Sequence, residues 1–143
     1  MVGILILSHG GLAEELLQTA RVISGALPGF EALALEWRDG PEEARNKVGA
    51  LLPRLDDGDG VLILTDMFGS TPSNAALSFQ EEGRVEVIAG VNLPMVVRLG
   101  CLTTESMPLA EMAAWIREKG RSSICGAAEQ RRPPPAGAPC EDK

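Results

Sequence analysis

The chain has 143 residues, a length that suits one domain able to bury a core without disulfides. Its composition, 45% hydrophobic and 23% charged, is that of a soluble globular protein, and the absence of Tyr excludes tyrosine chemistry. A formal charge of −7 argues against a sequence-independent grip on nucleic acid and favours a basic protein partner.

Residues 2–7 form a continuous aliphatic run with no basic flank. The run is too short to span a bilayer and lacks the marks of a signal peptide, so it reads as a strand covered on both faces. Gly10 and Gly11 break it. Leu12, Leu16, Ala20 and Ile23 then recur at helical spacing over 12–23, and Gly25, Pro28 and Gly29 end that helix. Residues 31–37 alternate as a second strand. Pro41, followed by Glu42 and Glu43, opens a helix expected to reach residue 55. Asp56, Asp57 and Gly58 make a turn before a third buried strand at 60–65.

Residues 66–70 read as a loop. Thr71 and Pro72 look like an N-cap and a first-turn proline opening a helix to about residue 80. A fourth strand is expected at 85–89, after which Asn92, Leu93 and Pro94 lead into another helix. Residues 109–119 form a last amphipathic helix, and 121–125 read as a short final strand. This alternation predicts an α/β fold: a doubly wound, mostly parallel four-stranded sheet with helices on both faces. The folded domain is assigned to residues 1–128. Residues 129–143, with three consecutive prolines from Pro133 to Pro135, read as a flexible tail.

In open parallel sheets, ligands bind beyond the carboxyl ends of the strands. Three segments fall there: Ser8 to Gly11, Thr65 to Thr71, and Gly90 to Pro94. His9 is the only histidine. A neutral imidazole can attack a phosphoryl group, provided one ring nitrogen keeps its lone pair and the other holds its proton against an acceptor. Asp66 can be that acceptor if the strands ending at His9 and Asp66 are neighbours. The plainer alternative is a histidine merely satisfied at a strand end. Gly69, Ser70 and Thr71 suit a phosphate cradle, since a glycine-rich loop entering a helix presents free backbone N–H groups. Thr71 can cap the helix or donate its hydroxyl to a phosphoryl oxygen.

Asp66 as an aspartyl-phosphate or metal site is a weak reading, because the acidic cluster it needs after the first strand is replaced by Ser8 and His9. No Walker A motif and no GxGxxG occurs, which disfavours a nucleotide site. Cys101, Cys125 and Cys140 contain no C-x-x-C pair, and one histidine cannot complete a usual zinc site with them. No metal or other cofactor is therefore expected, and the cysteines read as reduced thiols of a cytoplasmic protein. Trp37 and Trp115 read as packing residues.

Three segments, ILILSHGGLAEELLQTA, VLILTDMFGSTPSNAA and VIAGVNLPM, resemble in order the mannose-class enzyme IIA domain of the bacterial phosphoenolpyruvate-dependent sugar phosphotransferase system, the mannose/fructose/sorbose group. The resemblance covers roughly residues 1–125. It implies a phosphohistidine at His9, loaded from the phosphocarrier HPr and discharged to a IIB protein, with indirect membrane association through IIC and IID. It implies that Asp66 orients His9, and Thr71 falls where many members carry serine. It further implies a homodimer in which the last strand, here 121–125, is exchanged. Two other roles stay open: a stand-alone regulatory phosphoprotein of an incomplete system, and a phosphoryl donor domain related to that of dihydroxyacetone kinase.

Overall fold

A computed structural model describes residues 1–102 and 107–129. The tail expected at 129–143 lies outside these residues from position 130 onward. The elements in chain order are β1 (Gly3–His9), α1 (Leu12–Ser24), β2 (Phe30–Leu35), α2 (Pro41–Leu55), β3 (Val61–Thr65), α3 (Thr71–Leu77), β4 (Val85–Ala89), α4 (Leu93–Gly100), α5 (Leu109–Ser122) and a 3-10 turn at Ala127–Glu129. The four strands form one sheet in the order β2-β1-β3-β4, and every pair is parallel.

The alternation of side chains along β1 and β3 assigns the helices to faces. Leu5 and Leu7 of β1 and Val61 and Ile63 of β3 pack with Ala44 and Val48 of α2 and Ala75 and Ala76 of α3. Ile4, Leu62 and Leu64 face the other way, against Met95 of α4 and Met112 and Ile116 of α5. Ile6 joins Ala13, Leu17 and Ala20 of α1 on that second face. Both central strands are thus buried on two sides, which is why their sequences are continuous aliphatic runs rather than alternating ones. Full burial of each such leucine or isoleucine is worth about 1.5–3 kcal/mol.

The chain leaves β1 for one face of the sheet and β3 for the other, so the switch point lies between the carboxyl ends of these neighbours. His9 ends β1, and Asp66 follows β3 directly. Gly10 turns the chain away at φ 54°, a left-handed conformation that a Cβ would disfavour.

Four expectations need correction. β2 stops at Leu35 instead of continuing through Trp37, because Glu36 to Asp39 close a turn: the Asp39 N–H donates to Glu36 O at 3.0 Å, and the Glu36 N–H donates to Asp39 Oδ2 at 2.9 Å. The expected strand at 121–125 is not formed. Arg121 and Ser122 instead complete α5, and the Ser123 hydroxyl donates back to Gly120 O at 2.7 Å. Gly120 admits this ending, since α5 lies so close to α4 that a Cβ there would come within 2.6 Å of Met95 Sδ. Cys101 is disulfide-bonded, not a reduced thiol, while Cys125 is free and exposed. Trp37 is not a packing residue and is 83% exposed, whereas Trp115 packs half-buried on the α4–α5 core as expected.

Candidate active site

The site is built from two strand ends and the loops that leave them. β1 and β3 pair from Gly3↔Val61 to Leu7↔Thr65, which brings the next residues on each chain, Ser8–His9 and Asp66, side by side. Asp66 Oδ2 accepts two hydrogen bonds from His9, one from its backbone N–H at 2.9 Å and one from ring Nδ1, also at 2.9 Å. The other carboxylate oxygen accepts from the Met67 N–H at 2.7 Å and faces the Ser70 hydroxyl at 3.1 Å. Asp66 is 12% exposed and His9 25%. Burial pushes the Asp66 carboxyl up, but the four hydrogen bonds, led by the His9 backbone N–H, outweigh it and keep the carboxyl below its ordinary value.

An ionised carboxylate only accepts hydrogen bonds, so Nδ1 carries the proton in this pair. The lone pair then resides on Nε2, which has no hydrogen-bond partner among the described residues. This is the protonation pattern a nucleophilic imidazole requires. The same carboxylate can stabilise positive charge that builds on the ring during attack.

The loop after Asp66 differs in one respect from expectation. Ser70, not Thr71, caps α3: its Oγ accepts from the Ser73 N–H at 3.3 Å and its backbone is extended. Thr71 is the first helical residue, with Pro72 after it. The Ser70 hydroxyl also donates to Met67 O at 2.6 Å, so one side chain ties the helix start, the loop and Asp66 together. Gly69 takes φ 88°, which turns the loop into the helix. No hydrogen bond within the described residues engages the backbone N–H of Gly69 or Thr71. The signal for Ser70 is present in the sequence. Ser70-Thr71-Pro72 repeats the cap-x-Pro spacing of Asn92-Leu93-Pro94, where Asn92 caps α4 by accepting from the Met95 N–H at 3.1 Å.

Two further residues bear on His9. Ser8 Oγ accepts from the Ala13 N–H at 2.7 Å and so anchors the start of α1 to the end of β1, a duty that Gly11 at the N-cap cannot perform. Trp37 stacks on the His9 imidazole, with ring centroids 4.8 Å apart and planes 15° from parallel. The third segment singled out, Gly90 to Pro94, turns elsewhere: the Asn92 amide donates to Gly120 O at 3.2 Å and Ser123 Oγ at 3.3 Å, joining α4 to α5. No cluster of three metal-ligating side chains occurs among the described residues.

The geometry is that of a histidine held by an aspartate at the switch point of a doubly wound sheet. A family model described as "PTS system fructose IIA component" matches residues 3–116. The chain belongs to the mannose-class EIIA domains of the sugar phosphotransferase system (PTS). It is 33% identical over 142 residues to the mannose-specific EIIAB component of Escherichia coli K12, a match covering 96% of this chain and 44% of that protein. The chain thus spans less than half the length of that relative. The fructose-specific EIIA component of Bacillus subtilis is 32% identical over 100 residues, covering 69% of this chain and 68% of that one. Among solved structures, the mannose/sorbose-specific IIA subunit of Enterococcus faecalis superposes with a TM-score of 0.78 at 27% identity. That match covers 87% of this chain and 93% of that one.

Proposed function

We propose that this chain is a phosphocarrier that takes a phosphoryl group from phospho-HPr on Nε2 of His9 and passes it to a mannose-class IIB component in PTS sugar uptake. The observation that carries the reading is the Asp66–His9 pair. Its carboxylate fixes the Nδ1–H tautomer and leaves Nε2 with a lone pair and no partner among the described residues. In the forward step, Nε2 bonds to phosphorus as the bond from phosphorus to the donor atom breaks, the electron pair leaving with the donor. The proton on Nδ1 stays with the His9–Asp66 pair, and the positive charge gained by the ring faces the carboxylate. Onward transfer is the same displacement in reverse, with the IIB component as acceptor. The N–H groups of Gly69 and Thr71, unengaged among the described residues, are suited to meet the phosphoryl oxygens, and Ser70 keeps the loop closed on Asp66.

A protein partner, not a small molecule, suits the surface around His9. Trp37 stacks on His9, Met67 follows Asp66 directly, and Leu12 and Phe68 lie within three residues of His9 or Asp66 in the chain; all four are exposed. An exposed apolar rim around a reactive group marks a docking face. The net charge of −7 favours a basic partner. Among the described residues no helix is long and apolar enough to cross a membrane; the reading is of a cytoplasmic carrier that meets the membrane-bound IIC and IID only through IIB.

The dimer belongs to the same proposal. β4 ends the sheet; its outer edge is engaged at Val85 by the Glu81 backbone and at Val87 by the Gln80 side chain, and a groove beside the remainder of that edge is lined by Ile88, Ala89, Arg117, Arg121 and the exposed Ile124. A strand from a second copy, drawn from residues 121–125 after the end of α5 unwinds, would cover that edge. The phosphocarrier reading is tested by incubating the chain with phosphoenolpyruvate, enzyme I and HPr. The wild type should gain one phosphoryl group and His9→Ala none; a His9→Ala protein phosphorylated to the same extent overturns it.

A further inference from the structure

The proposed chemistry does not explain Trp37. This large apolar side chain is 83% exposed, yet it lies flat on the imidazole of His9. Its position is built, not incidental. His9 pairs with Leu35, the last residue of β2, so a residue two places further on emerges beside the His9 ring. The turn that carries it there is fixed from two sides. Asp39 Oδ2 accepts from the Glu36 N–H at 2.9 Å and from Lys47 Nζ of α2 at 2.6 Å.

We infer that Trp37 is a positioning residue for phosphoryl transfer at His9, holding the plane of the imidazole and stabilising the positive charge the ring acquires. The inference rests on the phosphocarrier reading. The hydrogen bond to Asp66 fixes the distance of one ring atom and leaves a coupled swing of the ring about its Cα–Cβ and Cβ–Cγ bonds. A stacked indole removes that freedom, so Nε2 keeps one direction. Attack by Nε2 forms the nitrogen–phosphorus bond, breaks the donor's bond to phosphorus and leaves the ring cationic while Nδ1 keeps its proton. The negative face of an indole attracts such a cation, and the attraction is absent when the ring is neutral. Trp37 therefore favours the phosphorylated state over the free one, in addition to ordering the ring.

The test uses the Trp115→Phe chain, in which Trp37 is the only tryptophan. Phosphorylation by phospho-HPr should change the Trp37 emission, because the stacked ring gains charge. On the same background Trp37→Ala should lower both the transfer rate and the equilibrium constant for phosphorylation, each by about two- to fivefold, the size of an exposed cation–π contact. Trp37→Phe, which keeps an aromatic face, should recover most of the loss, and Asp39→Ala, which frees the turn, should reproduce part of it. Emission that ignores phosphorylation, together with a Trp37→Ala chain that transfers at the parent's rate and to the parent's equilibrium, overturns the inference and leaves the phosphocarrier reading intact. A parent chain that accepts no phosphoryl group overturns both.

Discussion

Asp66→Asn separates the orienting role of the carboxylate from its charge. The carboxylate meets donors on both oxygens: the backbone N–H and Nδ1–H of His9 on one, the Met67 N–H and the Ser70 hydroxyl on the other. An amide has one oxygen to offer. If it faces His9, the amide N–H₂ confronts the Met67 N–H across the 2.7 Å contact, and only the Ser70 hydroxyl can turn to accept. If it faces Met67, the N–H₂ confronts His9, and Nδ1 must become an acceptor. The ring proton then moves to Nε2 and the nucleophilic lone pair is lost. Either arrangement strands at least one donor in a site only 12% exposed, which costs about 1–3 kcal/mol of stability. The rate loss should be larger. Wrong tautomer plus loss of the balancing charge predicts transfer from phospho-HPr slowed by about 100- to 10,000-fold, with His9 still the acceptor. A rapid-quench assay with radiolabelled phosphoenolpyruvate, resolved at alkaline pH, measures the rate, and thermal melting measures the fold. An Asp66→Asn chain that melts up to 3 kcal/mol less stably yet transfers at the wild-type rate would refute the role given to Asp66.

Ser70→Ala should exceed Thr71→Ala in effect. The first removes a cap worth about 0.5–2 kcal/mol and a contact to Asp66, whereas the second leaves the backbone N–H groups of the loop in place; a Thr71→Ala chain more damaged in melting temperature and transfer rate than Ser70→Ala would reverse this order. Acid should destabilise the fold through Asp39, Asp56 and Asp66. Lys47 and the Glu36 N–H lower the Asp39 carboxyl, the Gly58 and Gly60 N–H groups lower that of Asp56, and Asp66 is lowered as described. A carboxyl whose folded value lies below its unfolded one contributes stability above the unfolded value, about 4, and loses it as pH falls through the folded value. Melting temperature should thus drop below about pH 4, and Asp56→Asn should make that drop shallower; an unchanged acid limb in the variant would contradict the assignment. Deleting residues 123–143 should weaken dimerisation in sedimentation experiments, while deleting 130–143 should not, and equal behaviour of the two truncations would count against the exchanged strand.

Most of the architecture was legible because the two central strands are buried on both faces. Residues 2–7 and 60–65 leave no room for an amphipathic alternative, and the caps and prolines at 41 and 92–94 mark helix starts that the structure reproduces. The pairing of His9 with Asp66 followed from topology, since only adjacent β1 and β3 bring the two strand ends together. The failures lie where side-chain hydrogen bonds, which the hydrophobic pattern does not encode, decide the local conformation. Trp37 left the strand because Asp39, anchored by Lys47, closes a turn under it. Ser70 outcompeted its neighbour as cap because its hydroxyl also satisfies the loop and faces Asp66. Residues 121–125 read as a strand from their place after the last helix, but Arg121 and Ser122 continue α5 and the Ser123 hydroxyl turns back onto Gly120 O, so the helix extends into the segment.

The central claim is that Nε2 of His9 accepts the phosphoryl group because Asp66 occupies Nδ1. Its most direct measurement is nitrogen-15 and phosphorus-31 NMR of the chain phosphorylated by phospho-HPr, in which the single histidine yields one unambiguous imidazole signature. The account predicts one phosphoryl group, coupled to Nε2, with the Nδ1 proton retained, and no such signal from His9→Ala. Phosphorus coupled to Nδ1, or a phosphorylated His9→Ala chain, would contradict it.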